Sequence, residues 1–528
     1  MSTVFERAIE LLGSTRLVIG VAGDEPGLLD AAAAAGGPCA GCRDQRTAAF
    51  AAAGASLTTG APSVLCTHEG PDLLNALVGI SEAHSARIPL LVVTQTTGSP
   101  EAGRGAFQGF PVHTFGPGLF RWTHRVRDEA DLYWALRHGE TIARTAGGPV
   151  HVMVDAAIGA ATATASVPAA SVPAAPARAS EAAIGAAARR LLDARRPVLI
   201  LGGGARGTDP AAVTAVAEAT GAVVLVTAAG RGTFPEDHPH FGGLAGLYLA
   251  PEAAAALAAA DELLVIGSAL EETARMEWSP HPDARITQVD TDPTVIGRAL
   301  AATAVHGDAP AFVAALAAVL AGRAPSAPQS WSGLAALPDD GSLTAPAVFR
   351  ALSAALPGSG IEVLAQENGM ADLWGYYAPA LRLPTGIRTL VPGEQTALGF
   401  GLGAGLGAAL TGSRVLAIGG DGAFGMNVPT LSTALENRAT IAFVELIDGG
   451  FGWPSSTRAT GDPLVNFQVP SGAAALAAAT GTPSLHVTNA EELPEAFETI
   501  LAERGPALLS VHLAQRRPFP PPSASPDP

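Results

Sequence analysis

The sequence predicts an α/β protein built from three doubly wound, parallel-sheet domains. Short apolar runs alternate with Ala-rich, helix-like stretches along most of the chain, which is the pattern of parallel sheets covered by helices. The chain has 528 residues, of which 48% are hydrophobic and only 15% charged. It is therefore too long for one core and apolar enough to form several.

The apolar runs fall into three sets, separated by stretches rich in Ala, Pro and Ser. The first set is RLVIGVAG, SVLCTHEG, PLLVVTQ and PVHVMVD, and the second is RPVLILGGGARG, AVVLVTAAGRG, ELLVIGSAL and ARITQVDTD. The third is IEVLAQENG, RTLVPGEQTALGFG, RVLAIGGDG, TIAFVELIDGG and ALLSVHLA. We therefore expect domains at 1–160, 183–322 and 346–515, linkers at 161–182 and 323–345, and a mobile tail at 516–528.

Charge and composition exclude several classes of protein. The formal net charge of -17 argues against nucleic-acid or anionic-membrane partners, because both need a basic face. The start, MSTVFERAIELLG, lacks the basic and apolar segments of a secretory signal, and no apolar stretch is long enough to span a membrane. Cys39, Cys42 and Cys66 are too few for a disulfide framework or a four-cysteine zinc site. We therefore expect reduced thiols and a cytoplasmic protein.

Two acidic residues follow two apolar runs of the third domain. Asp421 lies in GGDGAFG, and Asp448 follows TIAFVELI just before two glycines. Ligands bind at the carboxyl ends of strands in open parallel sheets, so both carboxylates could reach one divalent cation. A helix-like run at 429–437 would offer backbone amides to an anion held by that cation. The alternative is that both acids cap helices or satisfy turns.

The G-D-G motif, followed after 25 to 30 residues by an amide or acid and then glycine, resembles the thiamine diphosphate signature. The resemblance is to the superfamily of acetohydroxyacid synthase, benzoylformate decarboxylase and pyruvate decarboxylase. FPEDHPHFGGLAG, ENGMADLW, TALGFGLGAGLGAAL and PALLSVHL occur in the family's order and extend it over almost the whole chain. It implies pyrimidine-binding, central Rossmann-like and diphosphate-binding domains, with thiamine diphosphate and Mg²⁺ as cofactors.

The resemblance assigns roles to individual residues of the third domain. It implies that Asp421, Asp448 and the Gly450 carbonyl bind Mg²⁺, with Asp448 in place of the family's asparagine. Leu398 matches the bulky apolar residue beneath the thiazolium ring, although ordinary core packing is the alternative. The other expected cofactor contacts are Asn75, Glu367, Gly369, Gly420, Gly422, Ala423 and Phe451.

The family's catalytic glutamate, which shares a proton with the aminopyrimidine ring, has no counterpart here. Its segment reads DQRTAAFAAAGASLTTG, and anchoring on Gly54 and Gly60 places Gln45 at the glutamate position. A one-residue slip would place Asp44 there and misplace both glycines. Glutamine can donate and accept hydrogen bonds but cannot exchange a proton near neutral pH. Slower cofactor activation, substitution by a neighbour such as Asp44, and loss of activity all remain open.

Three N-terminal loops resemble the family's substrate-facing segments. GVAGDEP contributes Asp24, and THEGPDLLN, which resembles S-G-P-G-x-x-N, contributes His68. AFQGFPVH contributes Gln108 and His113, which with Gln45 complete the expected catalytic set. A histidine and an acid near the reacting atoms suit proton transfer. Each residue also has a structural alternative, such as capping of a helix at 26–35 by Asp24.

The resemblance therefore implies a thiamine diphosphate- and Mg²⁺-dependent C–C lyase or ligase acting on a 2-oxo acid. The reaction would be decarboxylation, carboligation of the resulting enamine to a second carbonyl compound, or both, as in acetolactate synthase. The alternative is a non-catalytic or regulatory homologue that has lost efficient ylide formation. GGGARG at 202–207 is a weak nucleotide-binding signal; in this family such a stretch is more often a relic turn than an FAD site, and FAD is left as an open alternative. In this family the two thiamine-binding domains of one site usually come from different subunits, which implies a homodimer or homotetramer.

Overall fold

The computed structural model describes residues 2–13, 15–97, 104–116, 118–166, 176–276, 278, 280–281, 283–459 and 461–519. Within them the chain forms three six-stranded sheets flanked by helices, and every pairing between named strands is parallel. The predicted fold class is confirmed. None of the described helices has the length and apolarity that crossing a bilayer requires.

The first sheet has the strand order β2-β1-β3-β4-β6-β5. Its strands are β1 Val18–Gly20, β2 Cys39–Gly41, β3 Ser63–His68, β4 Leu90–Thr96, β5 Thr123–Arg125 and β6 Pro149–Asp155. Its helices are α1 Val4–Leu12, α2 Leu28–Ala35, α3 Gln45–Thr59, α4 Pro71–Ser85, α5 Glu129–Ile142 and α6 Ala156–Ala160. The four predicted runs form β1, β3, β4 and β6. Strands β2 and β5, which were not predicted, are three residues long.

The second sheet has the order β12-β11-β10-β7-β8-β9. Its strands are β7 Pro197–Leu201, β8 Val223–Val226, β9 Phe241–Leu244, β10 Glu262–Ile266, β11 Arg285–Asp290 and β12 Thr303–His306. Its helices are α7 Glu181–Asp193, α8 Pro210–Thr220, α9 Pro251–Ala259, α10 Glu272–Arg275 and α11 Ala309–Leu320. The four predicted runs form β7, β8, β10 and β11, so the prediction missed the short outer strands β9 and β12.

The third sheet has the order β14-β13-β15-β16-β18-β17. Its strands are β13 Val363–Gln366, β14 Arg388–Leu390, β15 Val415–Gly420, β16 Ile441–Ile447, β17 Ser484–Val487 and β18 Ala507–His512. Its helices are α12 Ala345–Ala355, α13 Phe400–Leu410, α14 Asp421–Asn427, α15 Pro429–Glu436, α16 Gly452–Ser455, α17 Ala473–Thr480 and α18 Leu493–Ala502. The expected helix at 429–437 is α15, but another helix, α14, begins directly at Asp421.

The predicted mobile tail, residues 516–528, is wrong for its first four residues, which pack against the third domain. Phe519 is 4% exposed, packs edge-on against Trp374, and donates its backbone N–H to the Met370 sulfur at 3.1 Å. Burial of an aromatic ring fixes residues 516–519 against the third domain. Residues 520–528 lie outside the described part of the chain.

The first and third domains contact each other through α3 and α13. Glycines allow the two helix backbones to approach closely: a Cβ at Gly407 would lie 1.8 Å from the Ala51 carbonyl oxygen, and one at Gly54 would lie 2.0 Å from that of Ala404. Phe50 fills the adjacent space beside Gly403. This packing fixes the position of α3, and therefore that of Gln45 at its start.

Candidate cofactor site

In the third sheet β14 pairs with one edge of β13 and β15 pairs with the other. The chain therefore winds in opposite directions from β13, and the change of direction lies between β13 and β15. Loops after such strands diverge and leave a crevice at the carboxyl edge of the sheet. A cavity of about 380 Å³ opens there. Its wall includes Leu247, Tyr248, Thr273, Asn368, Gly369, Met370, Asp372, Thr396, Leu398, Gly420, Asp421, Gly422, Ala423, Asp448, Gly450, Phe451 and Trp453. Every expected contact from the third domain except Glu367 is in this wall.

Asp421 is the first residue of α14 and directly follows β15. Its Oδ2 accepts a hydrogen bond from the Gly449 N–H at 2.9 Å, whereas its Oδ1 is buried without a partner among the described residues. Burial, followed by the nearby Asp448 carboxylate, raises the pKa of Asp421 to about 7. An orphaned buried carboxylate oxygen beside a second acid indicates a site for a cation.

Asp448 follows β16, the neighbour of β15, and is paired with Arg516. The Arg516 Nε donates to Asp448 Oδ2 at 3.0 Å, and its Nη2 donates to Oδ1 at 3.3 Å and to the Asp448 carbonyl at 3.0 Å. Burial raises the pKa of Asp448, and the guanidinium opposes that rise. Each carboxylate oxygen has two lone pairs, so this ion pair leaves acceptor capacity for a metal.

Asp372 is a further acid in the cavity wall that the sequence analysis did not select. Its Oδ2 accepts from the backbone N–H groups of Gly369 at 2.9 Å and Gly420 at 3.3 Å, which joins the loops after β13 and β15. Its Oδ1 is buried without a partner among the described residues. Burial, with Glu367 and Asp448 nearby, raises the pKa of Asp372 well above its ordinary value.

Glu367 is fully buried and is not among the residues that line the cavity, and its expected contact with the cofactor stays a prediction. Its carboxylate accepts hydrogen bonds from the backbone N–H groups of Gly399 at 3.1 Å and Leu402 at 3.0 Å, at the start of α13. Burial raises its pKa to about 7. Glu367 thus fixes the loop that presents Leu398, whose half-buried side chain lines the cavity and also packs against the core.

Three of the expected polar residues meet on the N-terminal domain, together with a fourth that was not expected. Gln45 begins α3, Asn75 lies on α4 and His68 ends β3, and Asp72 of α4 joins them. The Gln45 Nε2 donates to Asp72 Oδ1 at 2.6 Å, and the Asn75 Nδ2 donates to Gln45 Oε1 at 3.2 Å. His68 Nδ1 lies 3.0 Å from Asp72 Oδ2. We call these four residues the N-terminal polar cluster. Asp72 is the member that the sequence analysis missed.

The remaining expected residues, Asp24, Gln108 and His113, are exposed. Gln108 adopts a left-handed backbone conformation with φ of 56°, and a Cβ at Gly70 would lie 2.6 Å from its carbonyl oxygen. This close approach holds the Gln108 loop beside His68 and Asp72. Asp24 does not cap α2. The helix begins at Leu28 after the N-cap residue Gly27, and the Gly27 N–H donates to the Asp30 carboxylate.

Asp44 does not replace the missing acid directly, because it caps α3. Its Oδ2 accepts from the Thr47 backbone N–H at 2.9 Å and from the Thr47 hydroxyl at 3.0 Å. These are the bonds of an ordinary helix N-cap.

The three cysteines are free, and burial raises the pKa of Cys39 to about 11 and that of Cys42 to about 12.

The cavity and the N-terminal polar cluster are separate within one chain. All cavity-lining residues among those described come from the second and third domains, beginning at Leu247. Gln45 and His68 are therefore not part of the wall that contains Asp421 and Asp448.

Three family models match consecutive parts of the chain. They are described as the N-terminal thiamine pyrophosphate (TPP) binding domain, the central domain and the C-terminal TPP binding domain of thiamine pyrophosphate enzymes, and they match residues 2–114, 184–316 and 368–511. The chain belongs to the thiamine diphosphate-dependent enzyme superfamily.

Relatives in this superfamily cover nearly the full length of the chain. The acetolactate synthase isozyme 1 large subunit of Escherichia coli is 27% identical over 92% of this chain and 89% of its own length. The acetolactate synthase isozyme 2 large subunit of the same organism is also 27% identical, over 92% of this chain and 90% of its own length. The crystal structure of benzoylformate decarboxylase from Polynucleobacter necessarius superposes with a TM-score of 0.84 at 20% identity, covering 98% of this chain and 100% of that one.

The residues of the cavity fit the cofactor that this superfamily uses. Within the described part of the chain, no group of three or more His, Cys, Asp or Glu side chains is arranged to hold a metal ion. Asp421, Asp448 and the Gly450 carbonyl would supply two carboxylates and one carbonyl to a cation and would leave its other coordination positions to other oxygens. That incomplete set suits Mg²⁺, which commonly binds through a few carboxylates together with substrate or cofactor phosphates.

A larger cleft of about 760 Å³ lies between the three domains and contains part of the GGGARG stretch that was considered as an FAD site. The glycine-rich turn at 203–205 and the half-buried Arg206 line it, and burial lowers the pKa of Arg206 to about 10. Arg87 also lines it but is already paired with Asp292 at 2.6 Å. Further carboxylates in the wall are Glu271, Asp290 and Glu394. This mixed lining does not single out a diphosphate, so FAD stays an open alternative.

Proposed function

We propose that the protein is a thiamine diphosphate- and Mg²⁺-dependent enzyme that decarboxylates a 2-oxo acid, releasing CO₂ and an aldehyde or joining the remaining acyl carbon to a second carbonyl compound. The observation that carries this proposal is the orphaned Asp421 Oδ1, which lies next to Asp448 in an otherwise largely apolar cavity at the winding change of the third sheet. The acetolactate synthase and benzoylformate decarboxylase neighbours support the substrate class.

The roles of the chain's residues follow from their surroundings. When bound, the cofactor supplies an electron sink for loss of the carboxylate. Asp421, Asp448 and the Gly450 carbonyl hold the cation, and Leu398 and Phe451 provide apolar walls that exclude water. On the N-terminal polar cluster, His68 can accept and return a proton at its Nε2, because its Nδ1 is held by Asp72.

A second copy of the chain supplies the N-terminal polar cluster to this cavity. Three observations support this arrangement: the two half-sites are separate within one chain, the cluster is partly exposed, and large apolar residues beside it are exposed. Leu74 and Val78, on the same helix as Asp72, are 36% and 45% exposed. Exposed apolar residues at i and i+4 on one helix are typical of an interface.

Binding is tested first, with purified full-length protein and isothermal titration calorimetry. Thiamine diphosphate should bind saturably only with Mg²⁺, and a chelator should abolish that binding. Asp421→Ala should weaken it by at least about 10²-fold, because the cation loses a charged ligand. The matched control is Glu498→Ala, a charge loss on the exposed face of α18. No saturable binding by the wild-type protein would reject the proposal.

Activity is tested by product analysis with a panel of aliphatic and aromatic 2-oxo acids, with and without an aldehyde or ketone acceptor. An aldehyde product indicates decarboxylation, and a hydroxyketone or acetohydroxy acid indicates ligation. Gln45 in place of the family's glutamate favours one alternative, a homologue without catalysis. That alternative predicts tight cofactor binding and no product that depends on Asp421 from any member of the panel.

A further inference from the structure

A carboxylate lies directly beside the glutamine that replaces the family's glutamate. Asp72 Oδ1 accepts from Gln45 Nε2 at 2.6 Å, and both side chains are half-buried on the N-terminal polar cluster. The loop E-G-P-D-L-L-N resembles G-P-G-x-x-N, so Asp72 takes the place of a glycine in that pattern. The chain therefore lacks an acid at position 45 and has gained one within hydrogen-bond distance of it.

This contact fixes the orientation of the Gln45 amide. An ionised carboxylate only accepts hydrogen bonds, so Gln45 must turn its NH₂ group toward Asp72. Its Oε1 then faces the other way, where it accepts one hydrogen bond from Asn75 Nδ2 at 3.2 Å and keeps a second lone pair. The cluster thus presents an acceptor, rather than a donor, to a ligand.

The second oxygen of Asp72 fixes His68 in the same way. Asp72 Oδ2 accepts from the His68 backbone N–H at 3.3 Å and lies 3.0 Å from Nδ1. The carboxylate places the ring proton on Nδ1 and leaves Nε2 as an acceptor, and this nitrogen is buried without a partner among the described residues. A Cβ at Gly23 would lie 2.2 Å from Nε2, so that glycine makes room for the ring.

We propose that Asp72 is the positioning residue that fits the N-terminal polar cluster to a nitrogen heterocycle carrying a proton on its ring nitrogen. Asp72 turns the Gln45 carbonyl away from itself and toward the ligand. It also supplies, next to Gln45, the negative charge that glutamate has and glutamine lacks. Without Asp72 the Gln45 amide can rotate and present its NH₂ group, which suits an unprotonated ring nitrogen. The inference rests on the proposed function, because the heterocycle concerned is the aminopyrimidine of thiamine diphosphate.

The first measurement compares two ligands by calorimetry with Mg²⁺: thiamine diphosphate, and its analogue in which the pyrimidine ring nitrogen facing the cluster is replaced by C–H. The wild-type protein should prefer the natural cofactor by about 10- to 10²-fold, the value of a charge-assisted hydrogen bond. Asp72→Asn should reduce this preference to below about threefold, because the charge and the fixed amide orientation are lost. Glu498→Gln is the matched control and should keep the wild-type preference.

The second measurement is the rate at which the bound cofactor exchanges its C2 hydrogen for deuterium from solvent. Asp72→Asn should lower this rate by about 10²-fold, within the usual range for loss of a positioned acid or base. Gln45→Glu in the Asp72→Asn background returns the charge to position 45 and should restore both the rate and the ligand preference. A merely structural role of Asp72 would not be rescued by that relocation.

The outcomes separate this inference from the proposed function. Unchanged ligand preference and exchange rate in Asp72→Asn would overturn the role of Asp72 while leaving cofactor binding intact. If the wild-type protein binds neither ligand, the proposed function fails and this inference fails with it. Should Asp72→Asn not fold, as judged by circular dichroism, Gln45→Met removes the amide and keeps Asp72; an unreduced ligand preference in that variant would also overturn the proposal.

Discussion

Two residues at opposite ends of the proposed cofactor site differ from the family pattern, and each has a charged neighbour that offsets the change. Gln45 lacks a carboxylate, and Asp72 supplies one at 2.6 Å. Asp448 adds a carboxylate where the family has an amide, and Arg516 pairs with it at 3.0 Å. The local charge at each end thus stays close to that of the family pattern. Substituted residues at a site are therefore best interpreted together with what they contact.

The pairing of Asp448 with Arg516 predicts a measurable coupling energy. Arg516→Gln leaves a buried carboxylate near Asp421 unpaired, and Asp448→Asn leaves the guanidinium with weaker acceptors, so each variant should be less stable than the wild-type protein. The double variant should be more stable than the sum of the two losses predicts, by about 1–3 kcal/mol. Urea unfolding of all four proteins, without cofactor, measures this coupling. Strictly additive losses would contradict the proposed charge compensation.

Glu367 predicts a pH dependence of stability. Burial raises its pKa from the ordinary value of 4.5 to about 7, so the folded state holds a proton that the unfolded state has released between those values. The stability that this proton contributes is present below about pH 4.5 and is lost as pH rises through about 7. Glutamine is isosteric with the neutral acid and does not titrate. The free energy of unfolding of Glu367→Gln should therefore rise, relative to that of the wild-type protein, by on the order of 2–4 kcal/mol as pH increases from 5 to 8.

The measurement is the free energy of unfolding of both proteins across that range, with Glu498→Gln as the exposed control. Parallel curves for Glu367→Gln and the wild-type protein would show that Glu367 is already ionised in the folded state at pH 5.

At the scale of elements, the sequence predicted what local apolarity determines. The long, buried strands were predicted. Five strands of three or four residues were not, because they are short and depend on pairing with a neighbour: β2, β5, β9, β12 and β17. Asp421 and Asp448 could be selected because each directly follows a strand of the same sheet. Arg516 could not, since its role comes from a contact with Asp448, 68 residues away. Asp72 lies in the loop THEGPDLLN, but its contact with Gln45, 27 residues away, is not visible in the sequence pattern.

The contact between α3 and α13 predicts an unusual response to a glycine substitution. Alanine normally stabilises a helix interior by about 0.5–1 kcal/mol relative to glycine. At Gly407 the added Cβ would meet the Ala51 carbonyl at 1.8 Å, so Gly407→Ala should instead destabilise the protein by about 1–3 kcal/mol. Gly185→Ala on α7 is the control, because its nearest neighbour is the flexible end of an arginine at 3.4 Å.

Urea unfolding measures both variants. Gly407→Ala should also weaken cofactor binding, because α13 carries the loop with Leu398 and α3 begins at Gln45. Equal stability of the two alanine variants would mean that the helices separate readily to accept a methyl group.

At the scale of the whole molecule, the N-terminal polar cluster does not line the cavity of its own chain, although both belong to the proposed site. A second copy in a twofold-symmetric dimer would bring each N-terminal polar cluster to the cavity of its partner, and would form two equivalent sites. This arrangement explains why the cluster is polar and half-buried although it lies outside the cavity. It also explains why α4 exposes Leu74 and Val78 on the same helix as Asp72.

Mixed dimers test this arrangement directly. Gln45→Arg places a cation on the cluster and should block the cofactor's protonated ring, while Asp421→Ala removes the charged oxygen that holds the cation; each homodimer should therefore bind no thiamine diphosphate. A dimer with one chain of each kind, isolated through two different affinity tags, should contain one site with both changes and one with neither. It should bind the cofactor at half the wild-type stoichiometry, as measured by calorimetry with Mg²⁺. If each site formed within a single chain, the mixed dimer would bind none, since every chain would carry one of the two changes.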